Sequence, residues 1–163
     1  MRKGFTLIEM LIVIVVIGIL SSMMMLSSTE SVSSAKAADI ITSLNNIKIA
    51  ALAHYIDSFD VYNTTANPDE GKMIACTKLY LQNADAINMQ TISSSGGDFY
   101  SITTDSTNKK IWFVAYKFSS TGNTEQIRSK LAGRAHSAGL KSAASSTARD
   151  FQESDTTVYM RIR

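Results

Sequence analysis

Between Phe5 and Leu26 one side chain carries a charge, Glu9; its neighbours are Leu, Ile, Val, Met, Phe, Gly, Ser and Thr. A carboxylate costs on the order of 2.5–3.5 kcal/mol at the centre of a membrane span and less near its end, and it becomes tolerable when a cation neutralises it. The chemistry open to Glu9 is therefore charge pairing, and the pair needs a positive partner. Other reactive types are scattered. His54 and His136 stand apart, with no second His or carboxylate at metal-ligand spacing, and read as surface or half-buried helix residues. Cys76 is a lone thiol, so one chain builds neither an internal disulfide nor a thiolate cluster; burial is its simplest role. Asp150, Glu153 and Asp155 are calcium candidates by composition only. The sequence has no phosphate-binding Gly loop, no Gly-x-Ser-x-Gly turn and no Cys–His motif, so no catalytic constellation, metal site or cofactor is expected and the chain does not read as an enzyme.

The element that must position Glu9 is the apolar run itself. Twenty-two residues of α-helix are about 33 Å long, matching a hydrocarbon core of about 30 Å. Arg2 and Lys3 precede the run without an acid, which places the amino terminus in the cytoplasm and everything after Leu26 outside. Two plainer readings compete. A secretory signal peptide also has a basic start, an apolar run and small residues such as Ser21 and Ser22, and would leave an exported binding domain. An ordinary single-span anchor would carry Glu9 by accident.

The string Arg2-Lys3-Gly4-Phe5-Thr6-Leu7-Ile8-Glu9-Met10-Leu11 separates these readings. Over about thirty residues the chain resembles the type IV pilins and the pseudopilins of type II secretion systems, which share a short basic leader ending in Gly, then Phe-Thr-Leu-Ile-Glu and an apolar helix. The resemblance implies a leader of residues 1–4, cut after Gly4 by a prepilin peptidase, and N-methylation of the new terminus at Phe5. It implies that Glu9 attracts the Phe5 ammonium of a neighbouring subunit during filament assembly. It further implies an α+β, pilin-like fold, with a long amino-terminal helix packed on a small antiparallel sheet. The partners would be other pilins in a homo- or hetero-polymer, the peptidase and an inner-membrane assembly platform. The chain would sit as a single-pass protein in the inner membrane before assembly, and in a cell-surface pilus or periplasmic pseudopilus after it. A type IV pilus subunit serving adhesion, motility or DNA uptake is the first reading, a secretion pseudopilin the second.

Beyond the assembly helix of residues 5–26, no Pro or Gly interrupts residues 27–59, and the helix is expected to continue into the head. The apolar stripe is read as Val32, Ala35, Ala38, Ile41, Leu44, Ile47 or Lys48, Ala51, Tyr55 and Phe59, widened by Ile40, Ile49, Leu52 and Ile56. The Ser-rich stretch from Ser27 to Ser34 is the place where it would break. Residues 60–163 form the head. Pro68 and the Ser93-Ser94-Ser95-Gly96-Gly97 run mark loops around a short helix from Met73 to Ile87, anchored by Ile74, Leu79 and Leu81. Residues 99–104 and 110–118 read as a hairpin, with Trp112, Val114, Tyr116 and Phe118 on one core face. Thr121-Gly122-Asn123 then ends the strand, residues 124–140 read as a helix, and residues 156–162 as a closing strand. Asn63-Thr64-Thr65 fits a glycan acceptor pattern by chance.

Charge is uneven. Residues 5–108 hold four lysines against ten acids, and residues 109–163 hold ten cations against four acids. Unlike surfaces meeting between copies, or a polyanion such as DNA meeting Arg128, Lys130, Arg134, Lys141 and Arg149, are the functional readings of that split; a solvated face is the plain one.

Overall fold

The fold is that of a computed structural model, which describes residues 5–57, 69–120 and 124–163, and of residues 25–28 the helical backbone alone. Gly4, Phe59, the Asn63-Thr64-Thr65 pattern, Pro68 and Thr121-Gly122-Asn123 lie outside the described residues.

Helix α1 runs unbroken from Leu7–Asp57. Its 51 residues make a rod of about 76 Å, and the Ser-rich stretch stays helical. Two environments divide it. Over residues 7–24 every position is exposed, with a mean hydropathy of 2.6 in the most apolar window, as a membrane-spanning or fibre-packing segment requires. Higher up, Ser33, Ala37, Ile40, Leu44, Ile47, Ala51 and His54 are buried at alternating spacings of four and three, one seam facing the head. The expected stripe was right at Ile40, Leu44, Ile47 and Ala51 and out of phase elsewhere, because Val32, Ala35, Ala38, Ile49 and Ile56 are exposed.

Against the seam lies a four-stranded antiparallel sheet in the order β1-β2-β4-β3, from β1 (Phe99–Thr104), β2 (Trp112–Lys117), β3 (Leu140–Lys141) and β4 (Thr157–Arg161). Trp112, Val114, Tyr116, Phe118, Val158, Met160 and Ile162 join Leu44 and Ile47 in one core, so the predicted aromatic face is a packing face. Arg161 and Arg163 are exposed at the alternate positions.

Two helices complete the head. Helix α2 (Glu70–Lys78) starts earlier than expected because Asp69 caps it, its Oδ1 accepting the Gly71 N–H at 2.9 Å. It ends before Leu79, which is 82% exposed and so is no core anchor; Ile74 is buried and Leu81 half-buried. Residues Ala84–Ala86 add only one 3-10 turn. Helix α3 (Thr124–Ala138) buries Leu131 and Ala135 and stops at Gly139, whose φ of 67° is the left-handed value that turns the chain into β3.

Candidate functional site

The site is the first turn of α1. Thr6 is its N-cap and Glu9 its third residue. Thr6 Oγ1 accepts the Glu9 N–H at 3.3 Å, while Glu9 Oε2 accepts both the Thr6 N–H and the Thr6 hydroxyl at 2.7 Å. This is a capping box: two N–H groups left over at a helix start are satisfied by exchange between two side chains. Phe5 and Met10 occupy the positions of the hydrophobic staple that accompanies such a box. The Thr-x-x-Glu spacing was readable in the sequence, and it adds Thr6 to the residues that sequence reasoning had singled out.

The cap gives Glu9 a fixed carboxylate. Oε2 is engaged inside the turn, and Oε1 takes no hydrogen bond from the described residues. Phe5, 73% exposed, immediately precedes the cap. It lies four residues before Glu9, outside the helix and within several ångströms of axial reach. An ammonium at Phe5 of one copy can therefore meet Glu9 of a parallel copy displaced by roughly that amount, each charge cancelling the other in apolar surroundings.

The cations considered for a polyanion sit elsewhere, and four are engaged within the chain. Lys130 pairs with Glu30 at 2.7 Å, and Arg134 donates to the Ser34 hydroxyl at 3.2 Å, both contacts bracing α3 on α1. Lys141 pairs with Asp150 at 2.7 Å, and Arg149 holds Asp155 through two guanidinium nitrogens. The Lys141 ammonium, with His136 second, holds the Asp150 carboxyl below the usual range. Arg128 is half-buried on α3. A polyanion would have to displace acids of the same chain from Lys130, Lys141 and Arg149.

Asp150 and Asp155 thus spend their oxygens on cations, Glu153 is exposed, and no metal-binding group of His, Cys, Asp or Glu occurs among the described residues. Cys76 is half-buried on α2, less withdrawn than expected. His54 is 8% exposed, more buried than expected, with its ring edge-on to Tyr80 at 5.5 Å. His136 is exposed.

No curated protein and no solved structure matches the chain. Residues 1–25 match the family model described as the prokaryotic N-terminal methylation motif. With a long apolar first helix and a small antiparallel sheet behind that motif, the chain has an α+β fold consistent with that of a pilin, and its amino terminus carries the prepilin-type signature of type IV pilins and pseudopilins.

Proposed function

We infer that the chain is a structural subunit of a type IV pilus filament, cut after Gly4, N-methylated at Phe5 and polymerised through α1. The observation that carries this reading is the division of α1. Residues 7–24 are apolar apart from Glu9 and two serines and are exposed throughout, while the same helix farther on supplies the core seam of the head. A disposable export signal has no need to be one rod with the domain's core, nor to hold a carboxylate in a capping box. An apolar rod rigidly joined to a head is what lengthwise packing of copies uses. The membrane stores the rod first. Removal of Arg2 and Lys3 then strips the cytoplasmic positive flank, which eases extraction into a fibre. The work done is mechanical and adhesive rather than catalytic.

Mass spectrometry of the mature amino terminus, together with electron microscopy of producing cells with and without the chain, tests this reading. A start at methylated Phe5 and surface fibres that vanish with the chain support it. A start near Ser22 supports the exported domain instead, and short periplasmic fibres support the secretion pseudopilin.

A further inference from the structure

The head is electrically polar along α1. At its distal end Arg163 lies over the Tyr55 ring, 4.4 Å from the centroid, and Trp112 packs edge-on to the same ring at 6.1 Å. Trp112 opens β2, so the β1–β2 turn that carries exposed Lys109 and Lys110 lies at this end. Arg161 joins them through its register with Phe113. None of the ion pairs among the described residues engages these four cations. Among the described residues, the acids near them already accept hydrogen bonds. Asp105 is buried on backbone N–H groups, Glu70 accepts the Thr103 hydroxyl, and Asp57 accepts the Tyr80 hydroxyl.

At the other end one cleft is lined by more acids than cations. Exposed Glu30, Glu125 and Glu153 line an open cleft of ≈ 440 Å³ between α1 and α3, with Lys130 as its cation and Gln126 and Ser129 as neutral polar lining. Glu30 and Tyr55 are 25 residues apart on one helix, so the two poles are separated by about 38 Å.

We propose that the basic distal pole, through Lys109 and Lys110, docks on the acidic cleft of Glu125 and Glu153 in another copy of this chain. The proposal rests on the filament reading above. Copies inserted with one membrane topology all point the same way, so heads meet top to bottom; such a contact does not close on itself and propagates as a fibre. Each Phe5-to-Glu9 step advances a copy by a few ångströms, so a copy several steps along brings its acidic cleft level with the basic pole below. A membrane is the wrong occupant for the distal pole, because Tyr55 stands about 46 Å beyond the end of the exposed apolar segment at Met24. The charge split of the sequence thus becomes an axial contact between heads, complementary in sign and weakened by salt.

The test uses the full chain, produced with its peptidase and assembly machinery. Lys109→Glu with Lys110→Glu, and separately Glu125→Lys with Glu153→Lys, should each lower sheared filament yield by about tenfold. The four changes together should restore it to within about twofold. Processing and head folding, read by amino-terminal mass and limited proteolysis, should stay as in the wild type. In a Cys76→Ser background, Lys110→Cys with Glu153→Cys should give an oxidation-dependent ladder of cross-linked copies within filaments. Undiminished yield in either double variant, a combined variant no better than its parts, a cross-link to a different protein, or filaments without the ladder would overturn the pole contact. A wild-type chain that forms no filament would overturn the filament reading itself.

Discussion

Asp105 and Ser146 meet across 41 residues of sequence: Asp105 Oδ2 accepts the Ser146 backbone N–H at 2.9 Å. The other oxygen of the same carboxylate accepts the N–H groups of Thr107 and Asn108 at 2.7 and 3.2 Å. One buried side chain, 1% exposed, therefore closes the β1–β2 turn and ties it to the loop between β3 and β4. The Thr107 N–H chiefly, helped by Asn108 and Ser146 and by the Arg161 charge, holds the Asp105 carboxyl below its usual range.

A depressed carboxylate stabilises the fold above its unfolded titration, about pH 3.9, and that contribution disappears as pH falls through the folded value. Asp105→Ala should lower the melting temperature by several degrees at neutral pH and flatten the loss of stability below about pH 4. Thermal melts across pH in detergent-solubilised full chain would check this; an unchanged acid limb would contradict the role given to Asp105.

The phase of the α1 seam sets a second expectation. Leu44 is fully buried between α1 and the sheet, whereas Val32 is 51% exposed. Leu44→Ala should cost about 2–5 kcal/mol, and Val32→Ala within about 0.5 kcal/mol, in urea unfolding monitored by Trp112 fluorescence. Equal costs would place the seam elsewhere.

His54 gives a third. Burial pushes its imidazole below the ordinary value, only partly opposed by the nearby Asp57 charge. The unfolded chain therefore binds a proton more readily than the folded one. The stability tied to neutral His54 is complete above about pH 6.5 and falls as pH drops from there through the folded value. His54→Gln should remove that dependence from the pH profile of the melting midpoint; an unchanged profile would contradict the role given to His54.

Much of this was legible in the residues. The motif at the amino terminus, the long helix, the β1–β2 hairpin and the alternation of β4 follow from spacing, because each is set by local pattern. The seam's phase was not, since two of its positions are polar. Ser33 is buried while donating to the Thr29 carbonyl and to Gln126 of α3, and His54 with its ring edge-on to Tyr80, while apolar Val32, Ile49 and Ile56 lie outside it. Strand β3 is two residues long and exists only through its pairing with β4. The intrachain partners of Lys130 and Arg134 are a hundred residues away, beyond any local signal.

Glu9 caps α1 for Thr6, and in the proposed filament it would also neutralise an incoming ammonium; Glu9→Gln divides the two. An amide at this position keeps the reciprocal cap but carries no charge. The decisive measurement is the sheared filament yield of Glu9→Gln beside wild type and Glu9→Ala, at matched levels of processed protein. Pairing with the Phe5 amine of an adjoining copy predicts that Glu9→Gln falls at least about tenfold, equivalent to about 1.4 kcal/mol per assembly step, and as far as Glu9→Ala. Wild-type yield from Glu9→Gln would contradict it.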